Sequence, residues 1–330
     1  MASVEMVEIW RGEFRESVHR GHAVVCDPSG AIVAAWGEPE KTILPRSSAK
    51  MIQALPLIES GAAEAFGLST EQLALACASH QGAAIHTERV SRWLTDLGLG
   101  DDDLRCGPQV PNDRAAREGL IRGGHAPCQM HNNCSGKHSG FLTLSKHLGG
   151  GPEYIDPAHP VQVAIRAAWE ELTDEPVAGY AIDGCSAPNF ASSLQGMARA
   201  MARFAAARDG QGTRQTAQSR LVQAMMRYPE LVAGEDRACT HLMRAMGGRG
   251  AVKTGAEALF TGILPELGLG VALKIEDGNM RASNSVIAAI LVKLGVLEPD
   301  HPEVLRHMTP RILNRRGVDT GQLRPVPGVF

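Results

Sequence analysis

The stretch Pro45–Leu55 places the strongest constraint on this chain, because a turn that carries a proline runs directly into an apolar helical segment. Ser47 and Lys50 stand at that junction in a Ser-x-x-Lys pattern. Residues three apart share one face of a helix, so the hydroxyl and the amine can come within hydrogen-bonding reach. The unpaired N–H groups and the helix dipole at a first turn also favour a serine alkoxide. The pattern therefore predicts Ser47 as a nucleophile and Lys50 as its base.

The same four residues also have a purely structural interpretation, an N-capping serine followed by a solvated lysine. A lysine that acts as a base must be neutral, whereas a free lysine titrates at about 10.4. Burial or a neighbouring cation has to make up that difference. The pattern alone leaves both interpretations open.

Strands are expected at both ends of the chain and helices between them. The strand predictions are residues 4–11, a hairpin of 22–26 and 31–36, and the later strands 251–253 and 270–275. Apolar residues at three- and four-residue spacing predict helices over 71–78, 87–97, 161–172, 189–207, 220–226 and 285–294. This order predicts an α+β fold, in which an antiparallel sheet is flanked by helices, as a single domain over residues 1–330.

Charge and cysteine usage argue against several classes of function. The formal net charge is −3 and the basic residues are spread along the chain, which argues against a nucleic-acid or membrane partner. The acidic N-terminus lacks the layout of a signal peptide, and the longest apolar run, 286–292, is well short of a membrane span. The seven cysteines, an odd number, are typical of reduced thiols or metal ligands. We therefore expect a cytoplasmic protein.

A second motif, Lys253-Thr254-Gly255, ends a predicted strand. Together with the earlier Ser-x-x-Lys it matches a pair of motifs found in penicillin-recognising serine enzymes. The Ser-Asp-Asn element of those enzymes is missing, which counts against a β-lactamase or a penicillin-binding protein. Taken alone, Lys253-Thr254-Gly255 is also compatible with an ordinary turn at the end of a strand.

Three further motifs complete a pattern that covers almost the whole chain. They are Ser79-His80, the polar segment His131–Gly140, which we interpret as a loop, and Asp183-Gly184-Cys185. With the two lysine motifs, they make the sequence resemble the rhizobial-type (class 3) L-asparaginases, a family built on the serine β-lactamase-like fold. One departure is Ala258, where that family's pattern leads us to expect a glycine.

The resemblance implies hydrolysis of L-asparagine to L-aspartate and ammonia by two serine–lysine tandems, Ser47 with Lys50 and Ser79 with Lys253. Two lysines in one pocket depress each other's pKa, which would keep an amine neutral. We expect Ser47 to form a β-aspartyl ester and Ser79 to relay the proton or position water, and the opposite assignment remains open. The side chains expected to contact the substrate, an amino acid, are Arg46, His80, His138 and Asp183. For His138 and Asp183, hydrogen bonding within a loop is an equal alternative.

The resemblance also implies a zinc ion held by Cys134, Lys137 and Cys185. Residue types alone suggest only buried thiols here. Lysine is an unusual ligand that must bind as the free amine, and two thiolates leave zinc little Lewis acidity, so we expect the ion to shape the pocket. A homodimer is expected from the resemblance alone.

Two other functions remain as alternatives, a penicillin-type serine acyl transferase and a catalytically inert, zinc-containing amino-acid-binding protein. The missing export signal argues against the first, and the intact serine–lysine tandems argue against the second. The remaining histidines are expected at the surface without metal-ligand spacing among them; they are His19, His86, His147, His159, His301 and His307.

Overall fold

The computed structural model describes residues 2–330, and the chain groups into two compact units. The first unit contains the residues up to Ser48 together with Ser192–Ala206 and His241–Phe330. The second contains Ala49–Ala191 and Ala207–Thr240. The expectation of a single domain stays a prediction.

Most of the strands form one antiparallel sheet in the first unit. In chain order the strands are β1 Val4–Arg11, β2 Phe14–Cys26, β3 Ile32–Trp36, β4 Thr42–Ile43, β5 Tyr180–Ile182, β6 Pro188–Phe190, β7 Ser192–Ser193, β8 Ala251–Thr254, β9 Leu259–Leu264, β10 Leu269–Ile275, β11 Arg311–Leu313 and β12 Asp319–Pro325. The main sheet has eight strands in the order β11-β12-β1-β2-β10-β9-β8, with β3 also paired to β2. The pairs β4–β7 and β5–β6 form two small separate sheets.

The helices are distributed over both units. They are α1 Lys50–Glu59, α2 Ala62–Ala65, α3 Thr70–Ala76, α4 Ala84–Asp96, α5 Arg114–Gly123, α6 Ser135–His147, α7 Pro160–Thr173, α8 Leu194–Ala206, α9 Thr213–Arg227, α10 Pro229–Val232, α11 Ala238–Met246, α12 Met280–Lys293 and α13 Pro302–Met308. Among the described residues, no helix combines the length and apolar character that crossing a membrane requires.

Helices cover the centre of the main sheet. As a result, β9 is buried along its whole length and β10 along most of it. Strands that read as continuous apolar runs need cover on both faces. Strand β10 packs against both α8 and α12. A Cβ atom at Gly270 would lie 2.2 Å from Ala198 O and 2.1 Å from Ala202 N, so α8 rests directly on the strand backbone at this glycine. Any side chain at position 270 would force the helix away.

Two buried helices organise the second unit. Every residue of α1 from Lys50 to Ile58 is buried, and so is every residue of α6 from Ser135 to Ser145. A helix that is buried all round must have packing partners on every side. Helix α1 contacts α6, α7 and α9, whereas α6 also contacts α3 and α4. Both helices carry lysines, Lys50 and Lys137, that are nearly inaccessible to solvent.

The segment before α1 is fixed within the first unit by the strand that carries Lys253. Arg46–Ala49 form a 3-10 turn in which the Ser48 hydroxyl donates to Pro45 O at 2.7 Å. The Thr261 hydroxyl of β9 donates to Ser48 O at 2.7 Å. A Cβ at Gly255, just after β8, would lie 2.6 Å from Pro45 O. The turn that presents Ser47 and the Lys253-Thr254-Gly255 segment are therefore packed against each other.

The predicted α+β class, with an antiparallel sheet and helices, is confirmed. The strand at 4–11 and the hairpin of 22–26 and 31–36 are also confirmed. The helix predicted over 189–207 begins only at Leu194, because β6 and β7 occupy its first residues. Strand β9 was not predicted, although its pairing with β8 and β10 gives β10 one of its two neighbours.

The interpretation of His131–Gly140 as a loop is wrong from Ser135 onward. Helix α6 begins at Ser135, and Cys134 is its N-cap residue. Two glycines, Gly136 and Gly140, lower the helix propensity of this segment, so the sequence does not indicate a helix here. They are tolerated because tertiary packing stabilises the helix: a Cβ at Gly136 would lie 2.5 Å from Leu75 O. Lys137 and His138 therefore project from a rigid helix.

The contact between Gly255 and the turn at Pro45 gives a first prediction. We expect Gly255→Ala to lower the free energy of unfolding by about 1–3 kcal/mol, because the new methyl group would overlap Pro45 O and crowd Ser48 N. The rate of the hydrolysis expected from the sequence should fall further than this loss of stability explains, since the displaced turn carries Ser47. Urea unfolding measured beside turnover tests both effects.

Gly119→Ala is the matched control for this substitution. Gly119 is an exposed residue of α5, and nothing lies within 4 Å of its added Cβ. Replacing it should raise the free energy of unfolding by up to about 1 kcal/mol through helix propensity. Equal effects of the two substitutions would contradict the close packing at Gly255.

Candidate active site

The Lys50 amine lies at the centre of a buried polar group in the second unit. Its Nζ donates to Ser79 Oγ at 3.1 Å, to Cys134 Sγ at 3.1 Å, and to the Ala78 carbonyl oxygen. The Lys50 side chain is 1% exposed and Ser79 is 6% exposed. An amine has few ways to satisfy its donors away from water, and these three acceptors supply them. The arrangement brings together a lysine and a serine that are 29 residues apart in sequence.

Local structure explains why these groups meet. Lys50 is the first residue of α1, so its side chain starts from the N-terminal end of a buried helix. Ser79 follows α3, and its backbone N–H donates to Val232 O at 2.8 Å, which fixes the segment after the helix. Cys134 caps α6, and its backbone N–H donates to Asn132 Oδ1 at 2.9 Å. Each group is therefore held by an ordered backbone.

A thiol cluster formed by Cys134, Lys137 and Cys185 adjoins the Lys50 amine. Lys137 Nζ donates to Cys185 Sγ at 3.1 Å. Cys185 lies in the turn between β5 and β6, where Asp183 N–H donates to Ala187 O at 2.9 Å. The three side chains predicted to hold zinc are all buried and belong to one unit.

The two thiols of this cluster differ in acidity. A hydrogen bond from Cys134 lowers the pKa of Cys185 well below its usual value, against the effect of burial, and the Lys137 charge and a hydrogen bond from His138 lower it further. The same hydrogen bond and burial raise the pKa of Cys134. Burial lowers the pKa of Lys137, but the two sulfurs outweigh it and the net shift is upward. The two shifts favour the charged forms, a thiolate at Cys185 and an ammonium at Lys137.

His138 lies beside this cluster and is held by Tyr154. His138 Nδ1 is 2.8 Å from the Tyr154 hydroxyl, which accepts a hydrogen bond of 2.7 Å from the Arg105 backbone N–H. Burial lowers the pKa of His138 to about 4, so its ring is neutral at pH 7. Because the hydroxyl is shared between the ring and the Arg105 backbone, it sets the orientation of the imidazole.

The two other predicted substrate contacts of this unit, His80 and Asp183, differ in how far they are buried. His80 is completely buried, accepts a hydrogen bond of 3.1 Å from Gly82 N–H, and has its Nε2 2.9 Å from Ser135 Oγ. Burial lowers its pKa, with the neighbouring His86 contributing. Asp183 is half-buried, and its Oδ1 accepts from Gly184 N–H at 2.7 Å. Their roles toward a substrate stay predictions.

Arg46, Ser47 and Lys253 belong to the first unit. Arg46 has a φ of +54°, a left-handed conformation that side-chain-bearing residues rarely adopt. Ser47 follows it in the 3-10 turn and is half-buried. Lys253 is fully buried on β8, and its Nζ donates to Thr254 O at 2.7 Å. The pairing of Ser47 with Lys50, and of Ser79 with Lys253, stays a prediction.

Sequence reasoning missed two features of this site. It treated the serine–lysine motif and the cysteine–lysine motif as separate, whereas the hydrogen bond from Lys50 Nζ to Cys134 Sγ connects them. It also missed Tyr154, which lies in a segment without any motif. No pattern in the sequence could have found that tyrosine, because its role depends on packing against His138. His19 and His86, expected at the surface, are in fact buried.

The cluster fits a zinc ion in its donor chemistry. Sulfur and nitrogen are the ligands zinc prefers, and Cys185 already favours the thiolate form that binds metal. Lys137 would have to give up a proton on binding, which a divalent cation beside its nitrogen promotes. The residues that would hold the ion are therefore Cys134, Lys137 and Cys185.

Comparison with protein families gives one match, which spans nearly the whole chain. A sequence model of L-asparaginase II matches residues 7–325. No curated protein matches this sequence.

Several solved structures are similar to this chain at low identity. Mglu in its native form has a TM-score of 0.46 and 13% identity, over 86% of this chain and 66% of the Mglu chain. A putative beta-lactamase from Bacteroides dorei has a TM-score of 0.47 and 12% identity, over 84% of this chain and 93% of its own. An octameric penicillin-binding protein homologue from Pyrococcus abyssi has a TM-score of 0.36 and 13% identity, over 94% and 84% respectively. This chain thus spans just under two thirds of the Mglu chain.

The contact between Tyr154 and His138 gives the second prediction. Tyr154→Phe should lower the free energy of unfolding by about 1–3 kcal/mol, because a buried imidazole nitrogen and the Arg105 N–H would both lose a partner. Denaturant unfolding measures this loss. Tyr180→Phe, at an exposed tyrosine of β5, is the control and should change stability by less than about 0.5 kcal/mol. An unchanged free energy of unfolding in Tyr154→Phe would show that the hydroxyl does not hold the ring.

Proposed function

This chain belongs to the L-asparaginase II family, and we propose that it is an L-asparaginase that cleaves the side-chain amide of L-asparagine through a serine–lysine acyl-enzyme mechanism. The observation that carries the mechanism is the buried hydrogen bond between Lys50 Nζ and Ser79 Oγ, 3.1 Å long. A carboxamide is a poor electrophile with a poor leaving group. The enzyme must therefore deprotonate a hydroxyl and later protonate the departing nitrogen, and a neutral lysine can do both.

Ser47 is the proposed nucleophile. Its Oγ attacks the amide carbon while its proton passes to the Lys50 amine. The same proton then moves through the Ser79 hydroxyl to the nitrogen, which leaves as ammonia, and a β-aspartyl ester remains on Ser47. Water attacks this ester while it gives a proton to the lysine, the lysine passes that proton to the departing Ser47 oxygen, and L-aspartate is released.

Two features support Ser47 in this role. It lies in the turn directly before α1, where unpaired backbone N–H groups favour developing negative charge. The preceding Arg46 has a left-handed backbone, and strained residues of this kind cluster at functional sites. The proposed second tandem, Ser79 with Lys253, comes from the resemblance to the rhizobial-type enzymes. Because Ser79 is bonded directly to Lys50, acylation at Ser79 is the competing assignment.

A trapped acyl-enzyme distinguishes the two serines. With wild-type protein quenched in acid during turnover, mass spectrometry should find the mass of an aspartyl adduct on the peptide that contains Ser47. Ser47→Ala should abolish the adduct and lower kcat by at least about 10³-fold, as loss of a nucleophile does elsewhere. Ser79→Ala should lower kcat but leave the adduct on Ser47.

The control for this experiment is Ser91→Ala, at an exposed serine of α4. It should change neither the adduct nor the rate. An adduct found on Ser79 would reject the assignment of Ser47, and full activity in Lys50→Met would reject the serine–lysine mechanism altogether. The absence of ammonia release from asparagine by wild-type protein would favour a binding protein instead.

We further propose that Cys134, Lys137 and Cys185 hold a zinc ion. When bound, such an ion would act as a template that shapes the substrate pocket, since two thiolates leave it little Lewis acidity. Cys134 also accepts a hydrogen bond from Lys50, so the ligand set and the base are in direct contact. His138, which directly follows Lys137, and Asp183, two residues before Cys185, are proposed to contact the substrate amine.

Removal of zinc should raise KM by more than it lowers kcat, because the proposed ion positions substrate and takes part in no proton transfer. The measurement is steady-state kinetics before and after chelation, with metal content determined in parallel. Cys185→Ser should lose the ion held by the two thiolates, whereas Cys26→Ser, at a buried cysteine of β2, should retain it. A collapse of kcat at unchanged KM would show a catalytic ion.

We also propose that the enzyme works as a homodimer in the cytoplasm. The resemblance implies the dimer, and the seven free cysteines suit a reducing compartment. Arg46 and His80 complete the proposed set of substrate contacts. Sedimentation velocity of the purified protein tests the dimer directly.

A further inference from the structure

Three side chains in the first unit converge outside the proposed active site. His241 on α11 and the pair Glu303 and His307 on α13 present ligand atoms that all lie within 4.8 Å of one another. His241 Nδ1 is 3.0 Å from His307 Nε2 and 3.5 Å from Glu303 Oε2. Glu303 and His307 are four residues apart, so both project from the same face of their helix. We call this group the His–Glu cluster.

The spacing within the His–Glu cluster matches that of metal ligands. With zinc–nitrogen bonds of about 2.0–2.1 Å, two ligand atoms of a tetrahedral site lie about 3.3 Å apart. Two of the three separations, 3.0 and 3.5 Å, bracket that value, and the third is no more than 4.8 Å. A hydrogen bond between the imidazoles alone explains the shorter distance but leaves the carboxylate without a role.

The carboxylate is the second observation that points to a cation. Glu303 Oε2 is inaccessible to solvent and has no hydrogen-bond partner in the part of the chain that the structure describes. Arg306 Nη1, 3.7 Å away, forms a loose ion pair with it from an exposed side chain. A cation held between this oxygen and the two ring nitrogens would satisfy it at shorter range.

The two imidazole rings are close enough to share a ligand. The rings of His241 and His307 are stacked, with centroids 5.2 Å apart. Because Nδ1 of His241 is 3.0 Å from Nε2 of His307, one ion could contact both nitrogens.

We propose that His241, Glu303 and His307 form a second divalent metal site, suited to zinc, with water at the fourth position. Two nitrogens and one carboxylate oxygen are a ligand set that zinc accepts, and the set lacks the thiolates of the other cluster. The ion would attach α13 to His241, because its ligands come from both segments. The proposal is independent of the catalytic mechanism, since none of the three residues has a role in it.

Cobalt titration and metal analysis of the full-length protein distinguish the two sites. Stripped wild-type protein should take up two equivalents of Zn²⁺ per chain. Glu303→Gln, which preserves shape, and His307→Ala should each take up one, while their asparaginase activity shows that they are folded. When the protein is titrated with Co²⁺, the absorption that wild-type protein shows and these variants lose should not include the thiolate charge-transfer band. His125→Ala, at an exposed histidine, is the control and should keep both equivalents.

The outcomes separate this proposal from the thiolate zinc site. If wild-type protein takes up one equivalent of Zn²⁺ and His307→Ala takes up none, the result supports the His–Glu cluster and argues against the thiolate site. One equivalent that persists in both variants, two that persist in both, or no uptake at all would overturn the proposal. A midpoint of thermal unfolding that rises with Zn²⁺ in Cys185→Ser, and no longer rises when His307→Ala is added, would confirm it independently.

Discussion

The structure depends on how the second unit satisfies a buried lysine amine. Lys50 is held by Ala78 O, Ser79 Oγ and Cys134 Sγ, which belong to segments from two other parts of the sequence. Removing any of these acceptors would leave a buried donor unsatisfied, at a typical loss of about 1–3 kcal/mol. The contact therefore links the end of α3 and the start of α6 to the first residue of α1. It also makes the base of the proposed reaction and a proposed zinc ligand neighbours, so the chemistry of one depends on the other.

Much of the framework could be predicted from the sequence, because five of the eight strands of the main sheet and the turn at Pro45 have strong local patterns. The α+β class, the first hairpin and the family were all obtained in this way. The start of α6 could not be, since Gly136 and Gly140 weaken its helix propensity and only tertiary packing compensates. Strand β9 was missed for a related reason: it is buried on both faces, so the alternation that identifies a strand is absent.

The site shows the same division between local and long-range information. Ser79, Cys134 and Lys137 were found because each lies in a short motif, and the structure gathers these with Lys50 and Cys185 in one unit. Tyr154 and the His–Glu cluster have no motif, since they depend on side chains that meet only after folding. Glu303 and His307 did carry a weak signal, their four-residue spacing, but His241 lies 62–66 residues away and gives none. The expected glycine at position 258 also has a physical explanation: Ala258 has a φ of +56°, where glycine is favoured.

The left-handed backbone of Arg46 has a consequence for anyone who engineers this enzyme. A non-glycine residue in that conformation raises the energy of the folded state by about 1–2 kcal/mol, so a screen for heat resistance will be drawn to glycine at position 46. Such variants would relax the loop that orients the hydroxyl beside it. Laboratory evolution toward durability and evolution toward speed should therefore diverge at this residue.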